Sequence, residues 1–351
     1  MDYQVIYTET IFGLDYPTLW FLVIGGVFTG YAILDGFDLG AGALHLFFKK
    51  EENRRIALNA VGPVWDGNEV WLVIGGGALF AGFPYVYASL FSGLYVPFML
   101  FVALLIFRAV SIEFRSKEKM SWWRKTWDTT YMVSSAGLAI ALGAVMGNVI
   151  QGIPLNEAGD YVGNGWDFLN PYAIIVGLTT LALFMMHGAL YLALKTEGAM
   201  HDFVGLWVKR SIIAFIILFL MTTGYTMLFV EHMVARLKEY PALLIIPMIA
   251  MLSIANIPRL TEQQKYTQAF IFSSITVSML FVLSAIGLYP TLLRSTVDPA
   301  YSLDVYNSAA SQKTLGIMLL MASVGVPLVG LYTFIVYRSF RGKVKIDEHS
   351  Y

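Results

Sequence analysis

Nine stretches of mostly apolar residues dominate this sequence. A helix of about 20 such residues spans the roughly 30 Å hydrocarbon core of a bilayer. The predicted helices cover residues 17–47, 57–84, 88–110, 129–150, 171–194, 211–230, 241–257, 268–289 and 314–337. Because backbone polar groups in lipid must be satisfied within the segment itself, the pattern predicts an all-α polytopic membrane protein.

The composition supports a membrane chain and excludes several other classes. Hydrophobic residues make up 57% of the chain and charged residues only 13%, whereas soluble domains contain about 25% charged residues. The chain has no cysteine, which excludes disulfides, thiolate zinc sites, iron–sulfur clusters and cysteine-ligated haem. Its net charge of −1 provides no basic footprint, so we expect no nucleic-acid partner.

The loops between the predicted helices alternate in charge. One alternate set of loops, with the C-terminal tail, holds 18 of the 23 Lys and Arg residues. The other set holds only Arg236, Lys238, Arg294 and Lys313. The positive-inside rule therefore predicts an external N-terminus and a cytoplasmic C-terminus. That orientation requires an odd number of crossings, which nine helices satisfy.

Four carboxyl groups lie inside predicted helices, where an unpaired charge costs several kcal/mol. They are Asp35, Asp38, Asp66 and Glu69. Asp35 and Asp38 are three residues apart and share a helix face. An apolar run of about 27 Å precedes them, at about 1.5 Å per residue, which places them toward the cytoplasmic end. They are either a proton-carrying site or a pair hydrated by headgroups at the inner interface.

The second pair of acids belongs to the motif Trp-Asp-Gly-Asn-Glu at 65–69. Counting inward from Arg55 along a continuous helix places Asp66 about 16 Å deep, close to the bilayer centre. Pro63 frees a backbone carbonyl there, so water and polar partners can be held. We interpret Asp66 and Glu69 as a proton site, with a structural hydrogen-bond cluster between helices as the alternative.

Glycines accompany these acids. Gly36, Gly40 and Gly42 remove side-chain bulk and predict the close approach of a neighbouring helix. The runs 25–26 and 75–77 are also glycine, and we interpret them as close helix contacts rather than phosphate cradles.

Three further residues have open roles. Arg108, at the end of a predicted helix, either snorkels to the inner interface or is the counter-ion of one of the four acids. Haem ligation by His187 is conceivable, although packing is the more common role in an apolar span. His45 follows Asp38 by seven residues, and its role is open.

Three motifs together carry a resemblance to a known family. They are Asp-Gly-Phe-Asp-Leu-Gly at 35–40, Trp-Asp-Gly-Asn-Glu-Val-Trp at 65–71 and Gly-Gly-Ala-Leu-Phe at 76–80. Shorter matches extend over essentially the whole chain and are thinner over 200–270. The sequence resembles subunit II of cytochrome bd-type quinol oxidases.

The resemblance implies an enzyme of the bacterial or archaeal plasma membrane that couples quinol oxidation to reduction of dioxygen to water. Its haem-bearing subunit I would carry the quinol site, two b-type haems and one d-type haem, and some relatives add a small single-helix subunit. Subunit II would hold no haem, although a structural quinone or lipid is possible. The implied fold is one integral membrane domain over 1–351, with four-helix bundles at 17–150 and 171–289 and a peripheral helix at 314–337.

The resemblance also implies which residues serve the function. Asp66 matches the family's proton-route carboxylate, while Asp38 and, less closely, Asp35 match its other acidic motif. Glu69 occupies a position where the family also accepts an amide. The expected supporting residues are Trp65, Asn68 and Arg108.

Two other functions fit the same residues. A proton-coupled secondary transporter also uses midplane acids, coupling them to a solute. A purely structural membrane partner needs no proton path. Intramembrane acids in a chain without redox ligands favour the proton side of a quinol oxidase, because oxygen reduction consumes protons.

Overall fold

The computed structural model describes residues 10–345, which fold almost entirely into α-helices. The helices are α1 (Tyr16–Ala43), α2 (Glu51–Val61), α3 (Trp65–Gly82), α4 (Pro84–Gly93), α5 (Tyr95–Phe114), α6 (Ser121–Gln151), α7 (Pro171–Lys195), α8 (Gly198–Phe229), α9 (His232–Glu239), α10 (Ile245–Glu262), α11 (Tyr266–Leu288) and α12 (Gln312–Ser339). Four short strands form two hairpins: Thr10–Ile11 with Leu14–Asp15, and Thr291–Leu293 with Leu303–Asp304.

The prediction of an all-α polytopic membrane chain is confirmed. Within residues 10–345, eight helices are long and apolar enough to cross a membrane. A ninth span is obtained if α3 and α4, which meet at a bend of 117°, are counted as one. The predicted number of nine is therefore reached only with this bent pair.

Helix α1 begins and helix α12 ends at opposite ends of the helix bundle. Tyr16, at the start of α1, lies against Gly316, near the start of α12. The other end of α12 lies beside the end of α7, where Lys195 Nζ donates to the carbonyl of Phe340 at 2.6 Å. This arrangement requires an odd number of crossings. Which end faces the cytoplasm stays a prediction.

The single helix predicted over 57–84 was wrong. A turn at 62–64 separates α2 from α3. The reason lies at Pro63, which has no amide hydrogen with which to continue the backbone hydrogen bonds of α2. Helix α2 is amphipathic: it buries Leu58 and Val61 and exposes Glu51 and Glu52, as in helices that lie along a membrane surface.

Other helix bounds also differ from the predictions. The predicted helix over 88–110 is divided between α4 and α5, with a turn at Leu94. Helices α6 and α8 begin at Ser121 and Gly198, well before the predicted starts at 129 and 211. The predicted helices were bounded by charged residues such as Lys209 and Arg210, which precede the predicted start at 211. The observed helix continues through these residues, because the end of a membrane helix can protrude into water.

The closest helix contact joins α1 to α7. A Cβ atom added at Gly40 would collide with the backbone of Phe184, and one added at Gly188 would collide with the backbone of Ala41. A Cβ atom added at Gly42 would collide with the side chain of Ser135 in α6. The predicted close approach at the glycines of α1 is therefore confirmed.

The interpretation of the other glycine runs was wrong at four positions. Gly25, Gly26, Gly76 and Gly77 face open space, whereas Gly75 lies against Phe28. At these four glycines, the outer faces of α1 and α3 carry no side chains.

One hydrophobic core joins both halves of the chain. It includes Phe37 of α1, Leu138 of α6, Leu190 of α7 and Ile257 of α10. Helix α12 stays at the edge, where it contacts α1 and α3. The predicted division into two four-helix bundles stays a prediction.

We predict that Gly40→Ala destabilises the protein by about 1–3 kcal/mol, the cost of adding a methyl group to a packed interior. The added Cβ has only the backbone of α7 in front of it, so no side chain can move aside. The measurement is the free energy of unfolding in detergent micelles. Gly26→Ala, which adds the same methyl group on an open face of α1, is the matched control and should change little. Equal effects of the two substitutions would contradict the packing argument.

Candidate functional site

The centre of the candidate site is a buried ion pair between α1 and α5. Arg108 Nη1 and Nη2 donate to the two carboxylate oxygens of Asp35 at 3.0 and 2.5 Å. Both side chains are 0% exposed. Of the two roles predicted for Arg108, the counter-ion is confirmed. Headgroup hydration of Asp35 is excluded, because the pair is sealed from the surface.

Glu69 adds a second carboxylate to the same guanidinium. Its Oε2 atom lies 3.5 Å from Arg108 Nη1, and its side chain is 19% exposed. Glu69 belongs to α3, so a third helix contributes to the charges around this pair. Arg108 thus faces two acids, one sealed and one partly open.

Asp38 lies one turn from Asp35 and is also 0% exposed. Asn68 of α3 donates to its Oδ2 atom at 2.7 Å and to the carbonyl of Leu34 at 3.2 Å. The hydroxyl of Tyr337, in α12, donates to Asn68 Oδ1 at 3.0 Å. Asp38 Oδ1 is buried without a hydrogen-bond partner among the described residues. Asn68 therefore joins α1, α3 and α12 around an acid that retains an open oxygen.

Asp66 does not lie on the continuous helix that the sequence predicted. Asn68, at the start of α3, donates a hydrogen bond to Asp38, which lies about 8 Å from the end of α1. The start of α3 is therefore level with a position near that end of α1. The predicted position close to the bilayer centre assumed a continuous helix from Arg55, and the turn at 62–64 removes that premise. The depth of Asp66 in a membrane stays a prediction. Asp66 is exposed on the outer face of α3, beside Tyr332 in a groove of about 290 Å³ between α3 and α12.

Trp65 holds the first turn of α3 against the protein interior. It is 9% exposed and packs with Leu58, Ile112 and Tyr131. The first turn of α3, which carries Asp66, is thereby held against α2, α5 and α6.

A second buried charge cluster was missed by the sequence analysis. Asp128 was counted among the loop residues, but α6 begins before it and buries it fully. Its carboxylate lies 2.6 Å from His45 Nε2, 2.5 Å from Arg115 Nε and 3.1 Å from Arg54 Nη1. Arg115 also binds Glu51 of α2 at 3.0 Å. The cluster fastens one end of α1, α2, α5 and α6 together.

A signal for this cluster was present in the sequence. Tryptophans at 122, 123 and 127 surround the basic residues before Asp128, which is typical of a helix that continues through a membrane interface. Extending the predicted helix over these tryptophans would have placed Asp128 inside it. The partner side chains come from three other helices and have no such signal.

His187 is committed to contacts within the chain. Its Nε2 atom donates to the carbonyl of Ile33 at 3.0 Å, and its Nδ1 atom lies 2.6 Å from the hydroxyl of Ser273. The ring stacks on Phe270 with centroids 4.4 Å apart. Both nitrogens thus have protein partners, and the residue does not fit an axial haem ligand. Among residues 10–345, no group of three or more His, Asp or Glu side chains is arranged to hold a metal ion.

The chain is similar to one family of proteins over nearly its whole length. The family model described as cytochrome bd terminal oxidase subunit II matches residues 16–340. Cytochrome bd-I ubiquinol oxidase subunit 2 of Escherichia coli (strain K12) is 32% identical over 373 residues, covering 95% of this chain and 97% of the relative. Cytochrome bd ubiquinol oxidase subunit 2 of Bacillus subtilis (strain 168) is 29% identical over 333 residues, covering 94% and 97%.

A solved structure shares the fold. A chain in the structure of bd oxidase from Geobacillus thermodenitrificans superimposes with a TM-score of 0.77. The alignment covers 93% of this chain and 98% of that chain, at 19% sequence identity. Similarity at this identity is evidence for the fold alone.

We predict that Arg108→Gln lowers the free energy of unfolding by about 3–5 kcal/mol, since it leaves the carboxylate of Asp35 buried without a counter-charge. Glu69→Gln keeps the buried pair intact and should cost less than about 1 kcal/mol, as for a partly exposed ion pair. Denaturant titration in detergent micelles measures both values. The ion pair would not be the central constraint if the two variants were equally stable.

Proposed function

Because the chain belongs to the cytochrome bd terminal oxidase subunit II family, we propose that it is the haem-free subunit of a bd-type quinol oxidase. In this proposal the complex lies in a bacterial or archaeal plasma membrane, oxidises quinol and reduces dioxygen to water. The partner, subunit I, holds the quinol site and the b- and d-type haems. A small single-helix subunit can complete the assembly. The chain's own tasks are to stabilise subunit I and to deliver protons from the cytoplasm.

The observation that carries the proton role is the charge balance around Arg108. Asp35 and Glu69 lie against one guanidinium, and the buried Asp38 lies one helix turn from Asp35. One cation cannot neutralise three carboxylates, and uncompensated charge in a low-dielectric interior is costly. Binding protons is the way in which such a cluster becomes neutral. A group of acids that must exchange protons to balance its charge is suited to proton transfer.

The geometry suggests an order of groups along a route. Asp66 lies at the surface of α3, Glu69 follows one turn later on the way to Arg108, and Asp38 lies beyond Asp35. Asp38 Oδ1, Glu69 Oε2 and Arg108 Nε are buried and have no hydrogen-bond partner among the described residues. Buried polar atoms of this kind bind water, and bridging water would connect the acids.

The exposed position of Asp66 gives this route an end at the surface of the chain. The outer face of α3 around it is apolar, with Val70 and Val73 exposed. We propose that subunit I covers this face, so that Asp66 exchanges protons with groups at the subunit interface. The groove beside Tyr332 is also a possible place for a structural quinone or lipid, although no residue there selects one.

We predict that Asp66→Asn lowers oxygen consumption by the assembled oxidase by about tenfold or more, because a positioned acid–base group contributes about 10²–10⁴-fold where proton transfer limits the rate. Asp38→Asn should act in the same direction. The measurement is quinol-driven oxygen consumption, with the haem absorption spectrum recorded on the same sample. Asp160→Asn, which removes an exposed carboxylate from a loop, is the matched control and should keep full activity.

Two outcomes would count against the proton role. Full turnover in a haem-replete Asp66→Asn oxidase would remove Asp66 from the route. Loss of assembly or of haem in that variant, with normal turnover of the remaining intact enzyme, would indicate a structural role instead.

We predict that this chain, expressed without a haem-bearing partner, is colourless and inactive. The reason is that both nitrogens of His187 are already hydrogen bonded within the protein. An absorption spectrum of the purified chain tests this, with the co-expressed complex as the positive control. Stoichiometric haem in the isolated chain would contradict the proposal. Solute uptake by that chain in liposomes would favour a transporter.

A further inference from the structure

A pocket that the proposed proton route does not use lies at the end of the bundle where α1 begins. It is formed by α9, the last residues of α11 and the segment that follows, and its volume is about 210 Å³. Its polar lining includes His232, Arg236, Glu239, Tyr289 and Arg294. We call it the two-arginine pocket.

Positive charge is scarce at this end of the protein. Only four basic residues lie in the loops assigned to it by the charge pattern: Arg236, Lys238, Arg294 and Lys313. Both arginines of this set line the one pocket, while neither lysine does. This convergence is unlike a solvated charged face, on which basic side chains spread apart.

The two guanidinium groups have no anionic partner within the described part of the chain. The seven ion pairs found among residues 10–345 include neither Arg236 nor Arg294. Glu239 lines the pocket but is not within ion-pair distance of either. The pocket therefore has two cations facing one acid and keeps an excess of positive charge.

Rigid elements hold both arginines. The guanidinium of Arg236 lies over the ring of Tyr289, 5.1 Å from its centroid, and the hydroxyl of Tyr289 lies 3.0 Å from that of Thr18. The carbonyl of Arg294 accepts a hydrogen bond from the amide of Ile153 at 3.0 Å. The guanidinium of Arg236 therefore loses less side-chain entropy when a ligand binds, and the backbone that carries Arg294 is fixed.

His232 completes the lining without adding charge. Its Nε2 atom donates to the carbonyl of Ile150 at 2.8 Å. Burial lowers the pKa of His232 below its usual value, the hydrogen bond to Ile150 partly opposes this, and the charge of Arg294 lowers the pKa further. The imidazole is therefore neutral near pH 7, and the positive charge of the pocket comes from the arginines.

We propose that the two-arginine pocket binds a phosphate group. Guanidinium groups donate paired hydrogen bonds that match phosphate oxygens, and they do so better than lysine ammonium groups. The phosphate can belong to an anionic lipid headgroup or to inorganic phosphate. The inference concerns this chain's own residues and does not depend on the proton route.

The test uses the assembled oxidase purified in detergent. One arm measures binding of radiolabelled inorganic phosphate by equilibrium dialysis at constant ionic strength. The other arm exchanges the complex into phosphatidylcholine and counts retained phosphatidylglycerol by mass spectrometry. The test variant is R236Q/R294Q, and the matched control K238Q/K313Q removes the same charge from the same end of the protein. The haem spectrum and elution volume report assembly.

We expect about one phosphate or one phosphatidylglycerol per chain in the wild type and in the lysine variant, and at least tenfold weaker binding in the arginine variant. Binding of the inorganic anion identifies the free ligand, and retention of the lipid alone identifies the headgroup. If the double arginine variant does not assemble, R236Q and R294Q are tested singly, with a loss expected in each. No binding of either ligand, or equal losses in the arginine and lysine variants, would overturn the proposal.

Discussion

The structure depends on one buried contact, the pair between Arg108 of α5 and Asp35 of α1. Neither charge can be removed alone without leaving the other in a medium that does not solvate it. The pair therefore fixes the relative height and rotation of α1 and α5. Asp38 and Glu69 are arranged around that fixed point, and α3 and α12 are held there through Asn68. The position of the acidic cluster is a consequence of this single pairing.

The helical class of the chain and most of its apolar spans were predictable from the sequence, because hydropathy and length act locally along the chain. The break at Pro63 was missed because a long apolar stretch hides a turn that only the proline ring imposes. The same turn removes the continuous helix on which the predicted depth of Asp66 rested. The acids themselves were identified correctly as exceptional, since a charged residue inside an apolar stretch is visible in the sequence alone.

The partners of those acids could not be predicted in the same way. Arg108 had two possible roles because its pairing joins residues 73 positions apart, and no local pattern encodes such a contact. The Asp128 cluster was missed because four helix ends meet there and the predicted helix began at 129, just after Asp128. The glycines show the same limit: their small size was visible, but which of them face a neighbouring helix was not.

The separation of Asp35 from Arg108 along the chain has a consequence for synthesis. Asp35 in α1 leaves the ribosome 73 residues before Arg108, the residue that neutralises its charge. During that interval the two carboxyl groups of α1 have no cation beside them, and the cost of placing them in lipid opposes stable partitioning. The nascent α1 must therefore wait at the insertion machinery, or shelter its acids in protonated form, until α5 arrives.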